Sequence, residues 1–162
     1  MAQVDTFLKI DSIDGESQDS KHKNEIDVLS WSYGVSNSGS MSIMGGGGSG
    51  KSSFQDLHFT AYHSKASPKL NLASASGQHV KSAVLTCRKA GTDQQEYLVI
   101  KLSDVLISSY QTGGTDGSDV KPVDSFTLNY AEIEHEYKPQ KPDGSLDSPV
   151  KTGWNLKENK KK

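Results

Sequence analysis

Disulfide chemistry within the chain is excluded, because Cys87 is its single cysteine. The thiol sits in the apolar run Ala83-Val84-Leu85-Thr86-Cys87 and reads as a small buried hydrophobe rather than a reactive group. Arginine is almost missing too. Of eighteen basic residues only Arg88 is one, and the lysines are spread along the chain. With a net charge of −2 and a pI near 6.2, no basic field is available to hold nucleic acid. No segment approaches the roughly 18 apolar residues that a membrane-spanning helix needs. Membrane insertion is therefore not expected. Asp5 and Lys9 interrupt the N-terminus before a signal-peptide core can form, so the chain is expected to begin as a cytoplasmic protein without a cleaved leader. Hydrophobic residues make up 33% and mean hydropathy is −0.63, so the core is thin or the loops are long.

The pattern that is present is period-two alternation, the signature of half-buried strands. Val4, Thr6, Leu8 and Ile10 share one face of a first strand, against Asp5, Phe7 and Lys9. Residues 26–35 read as a second strand, with Leu29, Trp31, Tyr33 and Val35 as its core face and Ser30 and Ser32 on the small polar face. Leu57, Phe59 and Ala61 mark a third. Further strands are predicted over 83–89, 96–102, 105–111, 125–137 and 150–156, with turn chemistry at Ala90-Gly91-Thr92-Asp93 and a loop at 113–117. Ser103-Asp104 separates two of them. One helix is predicted over 67–77, with Ser67 as cap, Pro68 in the first helical position and Gly77 at the exit. The 162 residues suit a single domain, over 1–158, and the lysine-rich end at 159–162 reads as a disordered basic tail. The total is a mainly β protein with one helix, as a barrel or a sandwich.

Gly45-Gly46-Gly47-Gly48-Ser49-Gly50-Lys51-Ser52 matches the phosphate-binding P-loop pattern in full. That pattern carries nucleotide chemistry only between a buried strand and a helix. Here Ser36-Asn37-Ser38-Gly39-Ser40 precedes it and strand alternation comes after it, so P-loop nucleotide binding is an alternative only. The segment 36–53 is long for a connection, and such loops are functional or disordered. An extended assembly loop that orders on a neighbouring subunit accounts for it. Glycines at 45, 46, 47, 48 and 50 would allow close backbone approach, beside Ser40 and Lys51, and Met41, Ile43 and Met44 would be apolar anchors. The histidines at 22, 58, 63, 79 and 135 lack metal-ligand spacing, and no metal or other cofactor is expected. Glu132, Glu134 and Glu136 share a strand face, but no aromatic platform for a sugar lies beside them, and a solvated or lumen-lining stripe is the reading. A monomeric β-sandwich that binds carbohydrate through Trp31 or Trp154 is the second alternative.

Several stretches together resemble the haemolysin-coregulated protein (Hcp) family. They are Phe7-Leu8-Lys9-Ile10, Ile13-Asp14-Gly15-Glu16-Ser17, the run from Glu25 through Trp31-Ser32-Tyr33-Gly34, residues 38–41 leading into the glycines, Arg88-Lys89-Ala90-Gly91, Glu96-Tyr97-Leu98, Thr112-Gly113-Gly114, Tyr137-Lys138-Pro139-Gln140, Asp143-Gly144, and Val150 through Asn155. The resemblance spans about 4–158. It implies a two-sheet antiparallel β-barrel with one short flanking α-helix and no enzymatic activity. It also implies a homohexameric ring, with rings stacking into a tube inside the type VI contractile sheath. The implied partners are the spike protein, the sheath and small secreted effector proteins held in the pore, with secretion direct from the cytoplasm. Within it, Ser32 looks like a pore-lining, effector-binding position, and Ser30 shares its face.

Overall fold

The computed structural model describes residues 4–37, 52–89, 94–117 and 120–162. The strands are β1 Val4–Ile10, β2 Ile26–Asp27, β3 Ser30–Ser32, β4 Val35–Asn37, β5 Ser52–Phe54 and β6 Leu57–Tyr62. Helix α1 is Ala66–Ser76. After it come β7 His79–Lys89, β8 Glu96–Gly113, β9 Val123–Tyr137, β10 Val150–Asn155 and β11 Lys160–Lys161. All pairings are antiparallel. The main sheet runs β11-β10-β9-β8-β7-β1-β2, with β6 on β9 and β3 on β6, and β4 and β5 pair separately.

Strand β9 organises the molecule because its length lets it serve three neighbours. Its whole length faces β8. Its other edge takes β6 along the first half, with Phe59 opposite Phe126, and β10 along the second, with Trp154 opposite Ile133. Alternation builds the interior: Leu57, Phe59, Ala61, Phe126, Leu128 and Tyr130 are all buried. Phe59 and Phe126 stack with centroids 5.4 Å apart. Each such ring contributes about 2–3 kcal/mol through removal of apolar surface from water.

The inward rows change phase at one level. Val80, Val105 and Tyr130 form one cross-strand row, and Ala83, Leu102 and Ile133 form the next inward row, a step of three residues in every strand. Asp104 lies at this level with a left-handed φ of 54°, and a local kink of that kind re-aims the side chains beyond it. Ser103-Asp104 is therefore an irregularity inside one strand, β8, and not the break the sequence suggests.

Residues 26–35 correct the reading of a single strand. They form three short pieces, β2, β3 and the start of β4, and Leu29 and Val35 are 49% and 53% exposed while Ile26 is buried. The breaks at 28–29 let the chain cross from one partner to another: Val28 N–H donates to Thr6 O and Leu29 N–H to Thr60 O. Trp31 and Tyr33 do pack against the core.

Helix α1 starts one residue before the predicted 67–77 range and ends one residue before it. Lys65, without a side-chain cap, precedes it, and Gly77 closes it in the left-handed region at φ 69°. Ser67 does not cap. Its Oγ accepts the Ser64 N–H and donates to the buried carboxylate of Asp124, which ties the helix start to β9. The chain end is also structured where a disordered tail was expected. Lys160 and Lys161 pair with β10 as β11, and Lys162 Nζ lies 2.9 Å from Glu132 and 3.0 Å from Glu134.

Candidate functional site

The outward face of β3, β6, β9 and the far half of β8 carries short polar side chains, because each alternates with an inward apolar residue. Ser30 lies opposite Thr60 and Ser32 opposite His58; Thr60 lies opposite Ser125 and His58 opposite Thr127. The structure thus places the two predicted serines together on one exposed face. Hydrogen bonds knit that face sideways. Ser30 Oγ and Thr60 Oγ1 are 2.5 Å apart, and His58 Nε2 is 2.8 Å from Ser125 Oγ.

A bulge in β8 extends the network. The register steps from Ile107 opposite Leu128 to Ser109 opposite Thr127, which leaves Ser108 as the extra residue. Both serines then reach one threonine: Thr127 Oγ1 is 2.7 Å from Ser108 Oγ and 2.6 Å from Ser109 Oγ. Ser108 Oγ donates to Asp56 Oδ2 at 2.6 Å, and Asn129 Nδ2 donates to Asp56 Oδ1 at 2.8 Å. Sequence reasoning found Ser30 and Ser32 and missed the rest. Ser125, Thr127 and Asn129 were legible as the polar half of an alternation; Asp56 and Ser108 had no sequence signal, since a turn and a bulge bring them in.

The candidate assembly-loop residues, Ser40, Met41, Ile43, Met44, Gly45, Gly46, Gly47, Gly48, Gly50 and Lys51, lie outside the described residues. Their frame does not. Val35 pairs with Phe54, Ser36 with Ser53 and Asn37 with Ser52, so both ends of the predicted 36–53 loop are antiparallel strand. The glycine run leads into a strand, Ser52–Phe54, and not into the helix a P-loop requires. The indole of Trp154 is half-buried against Phe54, with centroids 6.1 Å apart, and Trp31 packs on the core, so neither offers a sugar-binding platform.

Behind the opposite end of the sheet, residues 11–25 fold over β1 and β7. Arg88, 2% exposed, binds Asp19 through both terminal nitrogens and lies 4.9 Å over the Phe7 ring, and His22 stacks on the same ring at 4.4 Å. The Arg88 hydrogen bonds hold the Asp19 carboxyl down at about 2. Phe7 lies on the face opposite Leu8 and Ile10, and this cover buries it as well. The acidic stripe is compensated, with Glu132 and Glu134 bound to Lys162 and Glu136 3.7 Å from Lys151.

These features define a class: an antiparallel β protein with one flanking helix that presents a hydroxyl-lined sheet face. Comparison with known proteins carries this further. Residues 7–137 match the family described as "Type VI secretion system effector, Hcp". Protein hcp1 of Pseudomonas aeruginosa is 52% identical over 158 residues, covering 96% of this chain and 97% of that protein. A solved type six secretion system protein superposes with a TM-score of 0.91 at 36% identity, covering 99% and 100% of the two chains. Hcp1 from Salmonella typhimurium does so at 0.79 and 34%, covering both chains fully. The chain belongs to the Hcp family. It is a type VI secretion system tube protein, secreted and structural, and not an enzyme. Neither the nucleotide-binding nor the carbohydrate-binding alternative finds support. Among the described residues no helix is long and apolar enough to cross a membrane.

Proposed function

We propose that six copies close into a ring whose pore is lined by the hydroxyl face, with Ser30 and Ser32 as effector contacts. In this reading the sheet closes as a two-sheet β-barrel, through the bonds from Val28 and Leu29 that link β1 to β6. Rings stack head to tail, by a heterologous contact that leaves the filament open. The tube forms in the cytoplasm inside the contractile sheath, carries the spike protein at its tip and leaves with small effectors in its pore. The 36–53 loop, whose two ends pair as β4 and β5, joins neighbouring subunits.

The observation that carries this reading is the cluster of small hydroxyls, Ser30, Ser32, Thr60, Ser125 and Thr127, that shares one sheet face with His58. Such a surface hydrogen-bonds to a passing protein without an apolar grip that would hold it. Light scattering with electron micrographs of the same peak tests the ring, which predicts a mass near six chains. Ser32→Gln then tests the lining: rings persist while retention of a bound effector falls. A monomer over a wide concentration range counts against the ring, and unchanged retention in Ser32→Gln counts against the lining.

A further inference from the structure

Several of the described acidic side chains face a cationic group. Asp5 and Asp19 face Arg88, Asp104 faces His79 and Lys157, Asp124 faces His63, Glu25 and Glu96 face His22, and Glu132, Glu134 and Glu136 face lysines. Asp56 is different. Among the described residues it has no cationic partner, yet it is oriented. Ser108 Oγ donates to one carboxylate oxygen at 2.6 Å and Asn129 Nδ2 to the other at 2.8 Å. Its chain position is held as well, because the Tyr130 hydroxyl donates to the neighbouring Gln55 carbonyl at 2.8 Å.

A carboxylate fixed by two neutral donors has no countercharge in that contact and keeps its remaining acceptor positions. It sits at the end of the hydroxyl run, joined to Thr127 through Ser108. His58, on the same face, is turned to Ser125. We propose that Asp56 is the charge-reading position of this face and receives a lysine or arginine side chain of the protein carried there. The inference rests on the pore reading above. It adds the chemistry of the cargo surface: a cationic group set within a hydroxyl-bonding patch. In a closed ring the position repeats in every subunit, so a basic patch would be met wherever the cargo turns.

The test uses assembled rings of the full chain and two fluorescent probes, a short lysine–glycine peptide and its glutamate–glycine counterpart, titrated at low and at high salt. The expected result is that Asp56→Asn weakens the lysine peptide by roughly fivefold at low salt, the scale of an exposed charge pair, and that the difference fades at high salt. Asp56→Glu restores binding, and the glutamate peptide is unaffected throughout. Equal binding of the lysine peptide to the Asn variant overturns the proposal. So does a variant that only melts earlier and discriminates the two peptides as before, since Asp56 would then be a turn anchor. Ser32→Gln separates the cargo contact from its location. If it leaves lysine-peptide binding intact while Asp56→Asn weakens it, the Asp56 contact stands and its placement in the pore fails.

Discussion

Arg88 and Asp19, sixty-nine residues apart, meet through both terminal guanidinium nitrogens and both carboxylate oxygens, with Nη1 3.0 Å from Oδ1. The pair clamps the 11–25 segment over β1 and β7, above a ring, Phe7, that would otherwise be exposed. Arg88 is 2% exposed at its side chain and Asp19 17%, so the contact is largely removed from water. Its single arginine is thus used by this chain for a bidentate grip that lysine cannot make.

Removing one partner leaves the other desolvated. Arg88→Met and Asp19→Asn are each expected to cost about 2–4 kcal/mol, below the full penalty of a buried pair because Asp19 keeps some solvent. Urea unfolding measures the loss, and limited proteolysis should show cleavage between residues 11 and 25 before the rest.

The same pair sets an acid limb. Asp19 is lowered from 3.8 to about 2 by Arg88, and Asp104 to about 2 by His79 and then Lys157. A depressed carboxyl stabilises the fold fully above its unfolded value and loses that contribution as pH falls through the folded one. Melting temperature is therefore expected to fall between pH 4 and pH 2, with a shallower fall in Asp19→Asn. The Asp104 share should shrink in added salt because that carboxylate is solvent-exposed.

Gly15 is predicted to tolerate no side chain. A Cβ there would lie 2.5 Å from the Glu25 carbonyl oxygen and 2.7 Å from the Ile26 Cα, both backbone atoms that cannot swing away. Gly15→Ala should displace the 11–25 cover from β2 and lower the melting temperature, where an alanine at the open Gly113 should not. Equal melting of the two variants would refute the clash.

Ser67→Ala should detach the start of α1 from β9. The hydroxyl is 1% exposed and donates to Asp124, which also takes bonds from His63 and Tyr110. Loss of a donor to a buried carboxylate costs about 1–3 kcal/mol. Hydrogen exchange should quicken first in the 64–70 amides.

Cys87 is 1% exposed and burial pushes its thiol up from the ordinary value. Ellman's reagent should leave the native protein untouched at neutral pH and react with one thiol per chain in urea. Prompt native reaction would contradict the packing around Thr6.

Particular residues show how much of this was legible. Leu57, Phe59 and Ala61, and Phe126 and Leu128, show their inward faces by alternation alone, because a strand buried on one side must alternate. Gly77 marks the helix exit because a left-handed residue there favours glycine. Residues 26–35 misled the reading. Their alternation changes phase at Val28-Leu29, from Ile26 and Val28 to Leu29, Trp31 and Tyr33, where the chain changes partner; reading the run as one strand passed over that step, and periodicity alone does not say which strand lies alongside. Ser67 misled for a related reason: a serine near a helix start looks like a cap until a distant Asp124 claims its hydroxyl.

The sequence by itself therefore determined the class of fold, the main strands, the helix and, through its combined motifs, the family. Those properties depend on local propensity and spacing. Only the tertiary structure decided that Ser30, Thr60, His58, Ser125, Thr127 and Asp56 form one connected face, that Arg88 reaches Asp19, and that Lys160 and Lys161 close the sheet edge. Each of these joins residues distant in the chain, and strand register and bulges, which no single segment specifies, bring them together.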